Sequence, residues 1–133
     1  MDTQSTRGND VGLSQIGQIA LTVSDVERSV AFYRDALGVK LLFRAGPNLA
    51  FFDCAGVRLM LSAPEGEFRP GGGGSVLYFK VPDISATFAA LRSRGVAFVD
   101  EPHLIAKMPD HELWMCFFKD PDGNMLALMC ERR

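Results

Sequence analysis

The sequence predicts an α+β fold: two β-α-β-β-β modules whose curved mixed sheets flank a cleft. Three observations carry this reading. Val23-Ser24-Asp25 and Val81-Pro82-Asp83 stand 58 residues apart, and the pairs Val26/Ile84, Val30/Phe88 and Tyr33/Leu91 keep the same spacing, which is the mark of an internal duplication. Each copy is followed by strand-like runs separated by turn residues, so one element order occurs twice. Residues 63–74 (APEGEFRPGGGG) are too rich in Gly and Pro to be anything but a connection. Two copies of so long a period describe fused half-domains rather than an open array. One helix per half covers one sheet face and leaves the other to line a ligand cleft.

Residues 1–14 lack any period and read as a frayed leader, and residues 15–131 form a single domain: module one at 15–62, the linker at 63–74 and module two at 75–131. Ile16 to Val23 is a short apolar strand. Ser24-Asp25-Val26-Glu27 has the form of a capping box, and Val26, Val30, Tyr33 and Leu37 then follow one helix face until Gly38, the residue suited to a left-handed C-terminal cap. Strands are expected at Val39–Arg44, Asn48–Asp53 and Val57–Ser62, with turns at Ala45-Gly46-Pro47 and Cys54-Ala55-Gly56. In the second half Ser75–Val81 reads as a strand. Asp83 caps a helix with Ile84, Phe88 and Leu91 on one face, and Gly95 ends it. Strands return at Val96–Val99, Glu112–Phe118 and Met125–Cys130, with an irregular stretch at 100–111.

With 133 residues, 47% of them hydrophobic and 23% charged, the chain has ordinary globular composition, which excludes a disordered, fibrous or disulfide-scaffold class. No run of about 18 apolar residues exists to span a membrane, and the polar opening residues lack the apolar core of a secretory signal. A cytoplasmic location is expected, without membrane association. A net charge of -2 gives no electrostatic reason to expect nucleic acid as a partner. Cys54, Cys116 and Cys130 are odd in number and embedded among apolar residues, so reduced, buried thiols are expected.

The segments Gln18-Ile19-Ala20-Leu21-Thr22-Val23-Ser24-Asp25, Ala31-Phe32-Tyr33 and Asp120-Pro121-Asp122-Gly123-Asn124 carry a family likeness. The chain resembles the vicinal oxygen chelate superfamily, which includes glyoxalase I, the extradiol dioxygenases and the bleomycin-resistance proteins. The resemblance implies a metal in the cleft, held by His or Gln on the first strand and Glu on the last strand of each half. Those positions fall here on Gln18, Val76, Met60 and Ala127. A valine and an alanine offer no donor and a thioether is a soft ligand, so the chelate site is expected to be lost, and no cofactor is predicted.

Several constellations bear on chemistry. Gln18, an amide in an apolar strand, needs hydrogen-bond partners and is a candidate to orient a ligand. His103 and His111 are the two histidines, both in the 100–111 stretch, and are candidates for ligand contact or proton transfer. By strand alternation Trp114 shares a face with Glu112, Cys116 and Phe118, which leaves open whether that face meets core or cleft. Cleft aromatics could come from Phe43, Phe51, Phe52, Phe68, Phe79 or Phe117, although most phenylalanines build cores. His111-Glu112-Leu113-Trp114-Met115 lacks the second histidine of a zinc-protease helix. Asp120–Asn124 places its glycine wrongly for a calcium loop and reads as a hairpin turn. Gly71–Gly74 lacks the Lys-Ser/Thr of a phosphate loop.

The expected function is that of a metal-independent small-molecule-binding protein, similar in plan to the bleomycin-resistance proteins. Its ligand would lie in the cleft between modules against Gln18, His103, His111 and Trp114, with the 100–112 segment as a lid. A homodimer is expected, because one helix per half leaves apolar strand faces uncovered. The alternative is a lyase, isomerase or dioxygenase of the superfamily that uses His103 or His111 as acid and base, or through them recruits a divalent metal.

Overall fold

The computed structural model describes residues 12–66, 69–71 and 74–133, so most of the expected leader, and Phe68, lie outside the described residues. Module one is a four-stranded sheet of β1 (Gln18–Thr22), β2 (Lys40–Arg44), β3 (Leu49–Cys54) and β4 (Val57–Ser62), in the order β1-β4-β3-β2. Module two holds β5 (Leu77–Lys80), β6 (Ala97–Phe98), β7 (His103–Lys107), β8 (Glu112–Lys119) and β9 (Met125–Arg132), in the order β5-β9-β8-β6, with β7 also on β8. In both sheets the first strand runs parallel to the last and the other pairs are antiparallel.

The duplication holds at the level of single hydrogen bonds. Ala20 stands opposite Met60 as Tyr78 stands opposite Ala127, and Val23 N–H donates to Ser62 O at 2.9 Å as Val81 N–H donates to Met129 O at 2.9 Å.

Three local features differ from the sequence-based expectation. Helix α1 (Val26–Ala31) is capped by Asp25, whose carboxylate accepts from Arg28 N–H, and not by Ser24. Ser24 is instead drawn to module two, where its N–H and Oγ both donate to Asp122, while Glu27 pairs with Arg44 at 2.8 Å. Beyond Ala31 the chain widens into a π-helical turn at Phe32–Ala36, with Leu37 N–H donating to Phe32 O. Gly38 then takes the expected left-handed conformation at φ 76°. Finally, the 100–111 stretch is not irregular throughout. Residues 103–107 form β7, which pairs with Glu112–Met115 while β6 pairs with Phe118 and Lys119, so two short strands share one edge of β8.

Helix α1 and the π turn bury Val26, Val30 and Tyr33 against Phe52, Leu59 and Leu61. Helix α2 (Ile84–Ser93), capped by Asp83, buries Ile84 and Leu91 against Phe118, Leu126 and Leu128. These residues make one continuous core, because the modules meet on their helix sides. Tyr33 donates to Asp120 at 2.8 Å, and Arg94 donates to Ala36 O at 2.9 Å. Between the modules lies a cleft of about 810 Å³, with Ile19, Leu59 and Cys54 on one side and Phe79, Leu91 and Phe118 on the other.

Candidate functional site

Strand alternation sorts each sheet into two faces. Ile19, Leu21, Leu59, Leu61, Ala50 and Phe52 belong to the core under α1. Their neighbours Gln18, Ala20, Arg58, Met60 and Phe51 therefore stand on the helix-free face of module one. In module two the same logic puts Tyr78, Ala127, Met115 and Phe117 on the helix-free face. Three of the four positions to which the resemblance assigns metal ligands lie on these faces, and Val76 immediately precedes β5.

On module one the parallel register sets Gln18 opposite Arg58, and Arg58 Nε donates to Gln18 Oε1 at 3.0 Å. Gln18 Nε2 lies 3.8 Å from the Met60 sulfur. The Arg58 guanidinium also lies 5.5 Å from the centre of the Phe51 ring, which stacks on Phe43 at 4.7 Å with 21° between the planes. Phe43 is 49% exposed, so the stack presents an aromatic surface beside a cation and an amide. Such a surface suits a planar ligand that carries hydrogen-bond acceptors. On module two, Tyr78 meets Phe117 edge-on at 5.9 Å.

The donor set does not fit a divalent cation. The one hard donor, Gln18 Oε1, already accepts from a guanidinium, so an ion bound there would face a positive charge about one hydrogen bond away. The other three positions supply a thioether and two hydrocarbons. Among the described residues no group of three or more His, Cys, Asp and Glu side chains is arranged to hold a metal.

The other candidate residues are not brought to Gln18. His103 opens β7 opposite Met115, on the helix-free side of module two, with its Nδ1 2.8 Å from Glu101 O. His111 sits at the β7–β8 turn, its Nδ1 2.7 Å from Asp110 Oδ1, in a pocket of about 450 Å³ that includes Lys107, Glu112 and Arg133. Its hydrogen bond and that of Arg133 hold the exposed Asp110 carboxyl below the ordinary range. Trp114 turns to the helix side. Its Nε1 donates to Glu112 at 3.0 Å, and the Arg132 guanidinium covers its ring at 4.3 Å while donating to Ser85 of α2. None of the four lines the cleft between the modules.

Sequence reasoning passed over Arg58. The signal was present, because an arginine in V-R-L-M-L-S alternates with the core residues Leu59 and Leu61. Its meaning depended on the β1/β4 register, which places it beside Gln18 across 40 residues of chain.

These features match a known class. The model of the Glyoxalase/Bleomycin resistance protein/Dioxygenase superfamily matches residues 15–128, and the chain belongs to that superfamily. The Bacillus subtilis protein YraH is 30% identical over 126 residues, covering 84% of this chain and 94% of its own. The solved structure of TnmS3, an antibiotic binding protein from Streptomyces sp. CB03234, is similar with a TM-score of 0.73 and 27% identity, over 91% of this chain and 98% of its own. The metallothiol transferase FosB of Lysinibacillus sphaericus is 40% identical over 50 residues, which is 38% of this chain and 35% of that protein. Superfamily membership and these relatives support a small-molecule-binding or enzymatic role. Among the described residues no helix is long and apolar enough to cross a membrane.

Proposed function

We propose that this chain is a metal-independent small-molecule-binding protein whose ligand stacks on Phe43 and Phe51 and hydrogen-bonds to Arg58 and Gln18. The observation that carries the reading is the 3.0 Å bond from Arg58 to Gln18. It leaves the guanidinium and amide N–H groups as ligand donors and sets a positive charge against the one hard oxygen a metal would use. The antibiotic-binding relative supports a sequestering role.

The expected cleft needs a further partner. Within one chain the modules join through their helix sides, so a pocket built from two helix-free faces takes one face from each of two chains. The proposal therefore includes a homodimer in which module one of one protomer faces module two of its partner, a symmetric interface of the common two-fold kind. A cytoplasmic location is also proposed, supported by three free cysteines.

The test is to purify the protein without added metal, measure bound metals by mass spectrometry of the solution, and identify co-purified small molecules by native mass spectrometry. A planar ligand at one per protomer, lost in Arg58→Ala, is the expected result. Stoichiometric zinc, iron, manganese or nickel that Gln18→Ala releases would overturn it. The enzymatic alternative has one observation in its favour, since His103 shares the helix-free side of module two. Turnover of the captured ligand that His103→Ala abolishes would establish it.

A further inference from the structure

The internal duplication gives the molecule two equivalent junctions between a helix of one module and the β-hairpin of the other, and they are finished differently. At the first, Tyr33 bonds to Asp120 at 2.8 Å, and Asp122 accepts from Ser24 N–H and Oγ, from Arg28 and from Ser29. That junction is filled. At the second, the 58-residue repeat puts Leu91 where Tyr33 stands, Thr87 for Ser29, Ala86 for Arg28 and Pro82 for Ser24. The hairpin there ends at the Cys54/Val57 pair with the short turn Ala55-Gly56, in place of the longer Asp120–Asn124 turn. Of the plug's polar groups only Asp53, in the place of Asp120, and the Thr87 hydroxyl remain, and Asp53 Oδ1 is already engaged by Gly56 N–H at 3.0 Å. The cleft of about 810 Å³ is this second junction, since Cys54, Ala55, Val57, Thr87 and Leu91 line it.

A second observation indicates what it would hold. All six residues from Val76 to Val81 line the cleft, whereas a cavity lying on one sheet face would meet only alternate ones. The cleft therefore runs along the edge of β5, which pairs with β9 on one side and with no strand on the other. Val81 N–H points to β9, so by alternation the N–H and C=O groups of Tyr78 and Lys80 point to the open edge. Among the described residues no bond to those groups is present. The cleft thus combines mainly apolar walls, with the charged side chains Lys40, Asp53 and Lys80 also in its lining, and a row of backbone donors and acceptors at strand spacing.

We propose that this open junction is a second binding site, for a small peptide-like molecule that sets an amide edge along Tyr78 and Lys80 and its apolar body against Leu91, Phe79 and Leu59. The volume suits a drug-sized ligand, and pairing with a free strand edge is a general means of recognising extended amides. The site is separate from the Gln18–Arg58 face, so either assignment can fail without the other.

The test uses N-acetyl-leucyl-phenylalaninamide as probe, followed by amide and methyl NMR of the full chain. The expected shifts fall on the Tyr78 and Lys80 amides and on Thr87 and Leu91. An analogue with an ester in place of the central amide should bind at least about tenfold more weakly. Thr87→Trp, a change at a half-buried rim position, should weaken the probe by at least about tenfold. Leu91→Tyr combined with Ala55→Asp rebuilds a plug and should exclude the probe, and the Thr87 variant carries the test if this pair fails to fold. The proposal is overturned if the probe causes no shifts at millimolar concentration, if the shifts gather around Gln18 and Arg58, or if the ester binds as well as the amide. Tyr78 and Lys80 amides that change with protein concentration alone would also overturn it, with a second copy of the chain as the occupant.

Discussion

Tyr33 donates its hydroxyl to Asp120 at 2.8 Å across 87 residues of chain, with both side chains buried, and this bond ties the helix of module one to the last hairpin of module two. Asp120 is itself held by its own turn, where Oδ1 accepts from Asp122 N–H at 2.9 Å and Asn124 N–H at 2.8 Å. The carboxylate therefore organises the hairpin and the module interface together. The π-helical turn that carries Tyr33 is the local widening through which the chain reaches this contact.

Tyr33→Phe should cost about 1.5–3 kcal/mol of unfolding free energy, the usual range for a hydrogen bond to a charged group. Urea unfolding at neutral pH measures it. A cost near zero would show that water replaces the hydroxyl and that the junction is wetter than its burial implies.

The same bond gives an alkaline instability with a defined sign. Burial, and then the charge of Asp120, push the Tyr33 hydroxyl far above its ordinary value of 10.0, and burial pushes the Cys116 thiol from 9.0 up to about 11. Both groups hold their protons more tightly in the folded chain. Stability should be level below pH 9.0, fall between 9.0 and about 11 as unfolded Cys116 ionises, and continue to fall above 10.0 through Tyr33. Urea midpoints measured across this range check it, and Cys116→Ala should make the earlier part of the slope shallower, with Cys54, whose thiol is also pushed up by burial, carrying the rest. A parent protein whose stability rises over that interval would contradict the assignment.

Gly71 sits at φ 68°, and a Cβ added there would run into the carbonyl oxygen of Asp122. Gly71→Ala combines left-handed strain with a backbone clash and should destabilise the chain by about 1–3 kcal/mol. Gly46 has a similar φ of 72° but open space around it, so Gly46→Ala should cost less. Equal melting temperatures for the two variants would show that the linker does not pack on the 120–124 turn.

Trp114 and Arg58 separate stability from binding. Trp114→Phe removes the donor to Glu112 and weakens the stack under Arg132, so it should lower stability by about 1 kcal/mol and leave ligand affinity unchanged, because the indole faces α2. Arg58→Ala on the open face should do the reverse, with near-parental melting and at least about tenfold weaker binding of any ligand captured on the Phe43–Phe51 stack. Calorimetry on both variants decides it.

Much of the fold was legible because its signals are local or periodic. Asp83 and Gly95 mark the ends of α2 by their own backbone preferences, and Gly38 does the same for the C-terminal end of the first helix. The spacing of Val26/Ile84 and Tyr33/Leu91 announced the duplication. Ser24 shows where local reasoning fails, since its sequence context is that of a helix cap but its hydrogen bonds go to Asp122, 98 residues away. The strand at His103–Lys107 was hidden for a related reason. Its residues are mostly exposed, so no hydrophobic period marks it, and only the ladder offered by β8 makes it a strand.

The site divides along the same line. The sequence by itself determined the two-module architecture, the superfamily and the poverty of metal donors at Gln18, Met60, Val76 and Ala127, because each depends only on which residue types stand at which spacing. Tertiary structure alone decided that Arg58 completes Gln18, that Trp114 turns to the helix side, that His103 and His111 lie apart from both, and that one inter-module junction is closed while the other is open. These outcomes rest on register and on contacts between distant segments, and a strand pattern with period 2 specifies neither which of its two faces meets the helix nor which residue of another strand lies opposite.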